Sequence, residues 1–182
     1  MNRILENELK ILWGGGTRNL RLRPIQERDT ELIVHWRNTE AIQSQFIFRE
    51  PFTSEMHNNW LKTKVFPGYV IQYIIEVGNN NLPIGSIYIR DIDLQNESGE
   101  FGIFIGETDY ISKGYGTLAA QIFLSYCFTL GFHRIFLRVL AENEAAQKSY
   151  AKVGFSKEGV ARHMVYLEGA RRDIIFMSIV NK

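Results

Sequence analysis

The residues with the most chemical potential lie together at Ile111-Ser112-Lys113-Gly114-Tyr115-Gly116-Thr117. The run before them, Gly99 to Gly106, alternates apolar residues as a strand does. The run after them, Thr117 to Leu130, repeats apolar residues at helical spacing. Two glycines therefore stand where a strand gives way to a helix. Glycine tolerates positive φ and lets a ligand approach the backbone closely. The first turn of the helix offers N–H groups without an intrahelical partner, at the positive end of the helix dipole. Such a turn suits an anion, most naturally a phosphate or pyrophosphate, and Lys113 adds a point charge. The same residues also suit a tight turn that binds nothing. No Gly-Lys-Ser/Thr closes the turn, so it is not a P-loop. Ala119 stands at the third glycine of a dinucleotide fingerprint and the surrounding elements are in the wrong order, which excludes that motif too.

The elements that must position this turn are legible along the chain. Residues 1 to 19 read as an arm, with a short strand over Leu9 to Trp13 broken by Gly14-Gly15-Gly16. Leu20 to Pro24 alternates Leu and Arg as a half-buried strand does. Asp29 is placed to cap a helix to about Arg37, with Leu32, Ile33 and Trp36 on one side. Thr53 opens a second helix that turns Trp60 and Leu61 inward. Strands are expected over Tyr69 to Val77, Ile84 to Ile92 and Glu100 to Ile105, with turns at Gly78 to Asn81 and Asn96 to Gly99. After the long helix, stopped by Gly131, come a strand over Ile135 to Leu140 and a helix from Asn143 to about Val153. Two closing strands, Phe155 to Val160 and Asp173 to Val180, meet in a hairpin near Glu168-Gly169. The pattern is α+β, a mixed and mostly antiparallel sheet of about seven strands with helices on both faces. It forms a single domain over residues 1 to 182, without repeats or linkers.

Composition narrows the class. The chain has 182 residues, 45% hydrophobic and 23% charged, enough for one real core. A net charge of +1 gives no bulk attraction to nucleic acid or membrane. The single cysteine, Cys127, excludes an internal disulfide and fits a reducing compartment; mid-helix between Tyr126 and Phe128, it reads as a small core residue. Glu6, Glu8 and Lys10 interrupt any signal-peptide core, and no stretch approaches a membrane span, so the cytoplasm is expected. No His/Cys/Asp/Glu cluster has the spacing of a metal site.

The order of elements, the Lys113-Gly114-Tyr115-Gly116-Thr117 turn, and Asn143, Tyr150 and Gly154-Phe155 downstream together resemble the GNAT superfamily of acetyl-CoA-dependent N-acetyltransferases. The resemblance runs from about Leu20 to Val180. Leu20-Arg21-Leu22-Arg23-Pro24 and Trp36-Arg37-Asn38 draw it toward the branch of ribosomal-protein N-terminal, polyamine and amino-sugar-nucleotide acetyltransferases. In one respect the chain departs from the superfamily: Ile111 stands where a Gln or Arg usually begins the pyrophosphate loop.

The resemblance implies acetyl transfer to a primary amine by direct attack, with acetyl-CoA as cosubstrate and no metal. Residues 111 to 117 would hold the pyrophosphate. Ile103, Phe104 and Ile105 would offer backbone groups to the pantetheine arm and polarise the thioester carbonyl, unless their strand is simply central sheet. Asn143 matches an amide that contacts the same arm, and it also suits a plain N-cap. Tyr150, seven residues on along one helix face, is the expected donor of a proton to the leaving thiolate, with a core aromatic as the alternative. Glu100 is the best single candidate for the base, beside an exposed strand-end carboxylate or a water chain. Trp36, Arg37, Asn38 and His57 resemble the acceptor side of amino-sugar-nucleotide acetyltransferases, where Arg37 would meet a phosphate; His35 flanks the same region. An acceptor pocket is expected between residues 36 to 60 and the hairpin around 162 to 172. A ribosomal-protein N-terminus, a polyamine and a non-catalytic acyl-CoA-binding module stay open, and a mononucleotide-binding domain lacks Walker residues. Expected partners are a small-molecule or peptide amine, without nucleic acid or membrane, and a homodimer is compatible with them.

Overall fold

A computed structural model describes residues 12–14 and 19–181. Its strands are β1 (Leu12–Gly14), β2 (Leu20–Pro24), β3 (Ile71–Val77), β4 (Leu82–Asp93), β5 (Ser98–Ile105), β6 (Arg134–Leu140), β7 (Ser156–Leu167) and β8 (Ala170–Val180). The helices are α1 (Thr30–Asn38), α2 (Glu40–Gln43), α3 (Ser54–Trp60), α4 (Tyr115–Thr129) and α5 (Glu144–Val153). The strands form one sheet in the order β1-β2-β3-β4-β5-β6-β8-β7. Every neighbouring pair is antiparallel except β5 with β6. Strands β2 to β8 are the seven expected, and β1 adds an edge by pairing Leu12–Gly14 with Leu22–Leu20. The rest of the expected arm lies outside the described residues.

Both faces of the sheet are covered, and β3 shows why. All seven of its residues are buried. Tyr73, Ile75 and Val77 face a core with Ala119, Phe123 and Cys127 of α4, spaced one helical turn apart. Ile74 faces the opposite side, against Ile33 and Trp36 of α1 and Leu61 and Val65. The buried amide and carboxylate of β3 are satisfied, while the Tyr73 hydroxyl has no hydrogen-bond partner among the described residues. Gln72 accepts from Trp60 Nε1 at 2.9 Å and donates to Ser86 Oγ at 3.1 Å. Glu76 accepts from both Arg21 and Arg23.

Local capping succeeds at two helices and is overridden at a third. Thr53 accepts from Met56 N at 3.2 Å and Asn143 from Ala146 N at 3.1 Å, as expected. Asp29 occupies the N-cap position of α1 but does not cap it. Its carboxylate takes both Nη atoms of Arg23 at 2.7 Å and Gln26 N at 2.8 Å. A guanidinium buried on β2 needs a counter-charge more than a helix end needs one hydrogen bond.

The feature that makes room for a ligand is the parallel junction. β5 and β6 pair only over Ser98–Glu100 and Arg134–Phe136. Beyond that point β4 holds β5 as far as Ile105, and β8 holds β6 as far as Leu140. The two strands splay apart between these supports, and β5 turns an unpaired backbone edge into the gap.

Candidate active site

The glycine turn closes one end of the gap. A short 3-10 turn, Thr108–Tyr110, ends at Ile111. Ser112 and Gly114 then both take left-handed conformations, with φ of 60° and 82°. Gly114 is the N-cap of α4, and the first helical bond runs from Leu118 N to Gly114 O at 3.1 Å. The N–H groups of Gly116 and Thr117 are thus left without helical partners at the positive end of a 15-residue helix. Gly116 needs no glycine for the protein's own packing. A Cβ there would meet only the side chains of Ile103 and Ile105, at 3.7–4.0 Å, an ordinary contact. The space it leaves open belongs to the cavity, and it fits a ligand that lies against the backbone.

That cavity measures about 570 Å³ and extends from the turn along the splayed strand to α5. Ile103, Phe104 and Ile105 form one wall, and Ile111, Ser112, Gly114, Gly116 and Thr117 form its end. Asn143 and Tyr150 line the α5 side. Every second residue of an antiparallel strand directs its N–H and C=O away from its partner, so the free edge of β5 faces this space. Lys113 and Tyr115 are not part of the lining. The Lys113 ammonium lies 5.8 Å from the Tyr110 ring centre, and Tyr115 packs edge-on against the same ring. Lys152 and Arg138 line the cavity and were missed. Lys152 lies nine residues beyond the Asn143 cap, and that spacing along α5 was the available signal.

Glu100 is buried and fully engaged. Arg138 donates to its two carboxylate oxygens at 2.9 Å each, and Arg90 Nη2 at 3.2 Å to each. Burial alone would raise the Glu100 carboxyl, but the hydrogen bonds from Arg138 and Arg90 outweigh it and hold it below its ordinary value. Tyr150 moves the other way: burial pushes its phenol well above the usual range. Its ring packs edge-to-face on Phe101 and on Phe155, with centres 6.2 and 5.9 Å away.

A second cavity, about 400 Å³, lies across Phe104, which lines both. Arg37 and His57 line it, while Trp36 and Asn38 do not. Trp36 is a core residue, 1% exposed, donating through Nε1 to Glu107 at 2.8 Å. Asn38 exchanges two hydrogen bonds with the Phe52 backbone and pins the 39–52 loop. His35 is exposed and lies outside both cavities. The far wall is Gln72, Tyr88, Arg90 and Phe104 of the sheet, not the expected hairpin 162–172. The hairpin instead anchors the loop through the Arg49–Glu168 ion pair.

The tautomer of His57 follows from its neighbours. The Thr30 hydroxyl spends its proton on Asn58 Oδ1 at 2.9 Å, so it accepts from His57 Nδ1 at 2.9 Å. Nε2 is then a bare acceptor, buried and without a partner among the described residues. Burial lowers the pKa of the ring to about 4, and the charge of Arg37 adds to the effect, so the ring is neutral at pH 7.

A splayed parallel junction with a glycine turn and helix N-terminus at its end has the shape and donors to fit an extended, phosphate-bearing ligand along a strand edge. The acetyltransferase (GNAT) domain matches residues 19–156, and the chain belongs to that family. The chain is 29% identical over 163 residues to spermidine N(1)-acetyltransferase of Escherichia coli K12, covering 88% of this chain and 86% of that protein. It is 26% identical to the putative ribosomal N-acetyltransferase YdaF of Bacillus subtilis, covering 86% of each. The crystal structure of spermidine N-acetyltransferase from Vibrio cholerae in complex with CoA and spermine superposes with a TM-score of 0.82 at 26% identity, covering 88% of this chain and 95% of that one. The protein is an acetyl-CoA-dependent N-acetyltransferase. No helix among the described residues is long and apolar enough to cross a membrane.

Proposed function

We propose that acetyl transfer takes place where the two cavities share Phe104, with the thioester on the β5 side and a primary amine in the second cavity. The observation that carries this reading is the end of β5–β6 pairing at Glu100, because a single strand then borders both cavities. Acetyl-CoA supplies a thioester whose carbonyl carbon takes the amine and whose sulfur leaves as thiolate. The N–H groups of Gly116 and Thr117 receive the pyrophosphate. A free N–H on β5 polarises the carbonyl oxygen. Asn143 caps α5 and reaches the pantetheine arm from the same position. Tyr150, kept protonated, donates to the departing sulfur. Glu100 is a weak proton acceptor between two guanidinium groups; we assign it to fixing Arg90 and Arg138 and leave the ammonium proton to water.

A polyamine acceptor draws support from the spermidine acetyltransferases, and a ribosomal-protein N-terminus from the putative ribosomal enzyme. An amino-sugar nucleotide draws none from these relatives and ranks behind both. We read residues 1–182 as one domain working in the cytoplasm, where the buried Cys127 thiol stays reduced. The test is release of free thiol from acetyl-CoA in the presence of spermidine, an N-terminal peptide and an amino-sugar nucleotide. Stoichiometric thiol release with an acetylated amine is expected. Release at the hydrolysis rate with every amine would overturn acetyl transfer to an amine.

A further inference from the structure

The second cavity carries positive charge that nothing in its wall answers. Arg37, Lys64 and Arg90 line it, and no Asp or Glu does among the described residues. The Arg37 guanidinium lies over the Phe46 and Phe52 rings, 4.0 and 4.5 Å from their centres. The groups felt most by its charge are Tyr88 and Arg90, neither of them an anion at neutral pH. Arg90 spends Nη2 on Glu100, yet its Nε is buried with no hydrogen-bond partner, and the nearest Asp91 oxygen stands 3.6 Å away. Glu100 shares its two oxygens between Arg138 and Arg90, so it offsets only part of the Arg90 charge, and it does not line the cavity. An unpaired guanidinium against apolar surface is costly, and such a charge is best answered by a ligand anion that arrives with its own bidentate geometry. In the same cavity His57 Nε2 is an uncharged, unpartnered acceptor.

We propose that the acceptor is a primary amine that also carries an oxyanion, a carboxylate or a phosphate, held by Arg37 and Arg90 while His57 Nε2 accepts a hydrogen bond from an N–H or O–H of the same molecule. This rests on acetyl transfer to an amine in the second cavity, and it narrows the acceptor away from polyamines. A bare polycation would enter a cavity with three cations and no carboxylate, where like charges repel.

The test is calorimetry on the CoA-loaded protein, so that the first cavity is filled. The probes are O-phosphoethanolamine, β-alanine, ethanolamine and spermidine. The two oxyanion-bearing amines are expected to bind at least tenfold more tightly than ethanolamine and spermidine, and their ranking separates phosphate from carboxylate. Arg37→Met should erase that preference with CoA affinity unchanged, and Arg37→Lys should restore part of it. Spermidine binding as tightly as the oxyanion-bearing amines would overturn the proposal, and so would a preference that survives Arg37→Met. Absence of binding by all four would overturn it as well. The thiol-release assay stays separate: thiol release with spermidine alone sinks this inference and leaves acetyl transfer standing, whereas oxyanion binding without thiol release from any amine sinks acetyl transfer instead.

Discussion

The two cavities meet at Phe104 and are built from different material. The first is made of backbone: helix N–H groups at 116 and 117, two left-handed residues at 112 and 114, and the free edge of β5. The second is made of side chains: Arg37 between two phenylalanines, His57 with a fixed tautomer, and Arg90 tied to Glu100. A backbone site depends on conformation, so it survives a change such as Ile111 at the head of the turn. A side-chain site changes its ligand with each substitution. The first cavity is therefore suited to a cosubstrate shared across a family, and the second to an acceptor that differs from one member to the next.

The sharpest way to break this contrast is at Gly116. Gly116→Asp puts a side chain and a negative charge into the anion site, and CoA binding measured by calorimetry should be lost. The fold should persist, since an acidic residue in the first turn favours the helix dipole. Gly116→Ala sharpens the point: its Cβ has room, so stability should rise by about 1 kcal/mol from helix propensity while CoA affinity falls. CoA affinity unchanged in both variants would move the site elsewhere.

Next in size is Tyr150→Phe, which keeps the ring on Phe101 and Phe155 and removes the hydroxyl. We expect kcat to fall by roughly 10²–10⁴, with acetyl-CoA affinity and thermal stability nearly unchanged. A fall in Tm with kcat retained would make Tyr150 a core aromatic only.

Glu100→Gln tests the border between the cavities. Two guanidinium groups would lose their shared counter-charge, for a stability loss of about 1–3 kcal/mol. The loss should be present at pH 7 and shrink on acidification. The folded carboxyl titrates below its ordinary value, so its contribution is held above that value and lost as the pH falls through the folded one. A base would show itself differently, as a large fall in kcat with stability intact.

The smallest effect is the pH dependence of His57. Its folded pKa of about 4 lies below the ordinary 6.5. Between these values the unfolded chain binds more protons, so stability rises from pH 4 to 6.5 and is level above. At pH 5.5 the deficit is about 1 kcal/mol. His57→Asn, with an amide N–H still near Thr30, should flatten that slope in urea titrations at pH 5 and 7. A slope that persists belongs to another group.

What the chain declares by itself is whatever four or five residues settle among themselves. Asn143 bonds Ala146 and Thr53 bonds Met56 through capping contacts three residues long. Gly114 takes its positive φ from a local steric rule, so the glycine turn, its helix and the alternating strands were all legible. The charged and aromatic residues were not, because their partners lie beyond the reach of one helical turn, on other elements. Asp29 reads as a cap until Arg23, near the end of β2, claims it. Glu100 reads as a base until Arg138, 38 residues on, and Arg90 close around it. Trp36 reads as an acceptor contact until Glu107 and the second core bury it. Charge and polarity act through space and are set by whatever the fold brings within a few ångströms. Backbone geometry is local enough for the glycine turn to be visible in the sequence, while the chemistry of the second cavity was decided only when β3, β4 and β5 came to lie beneath α1 and α3.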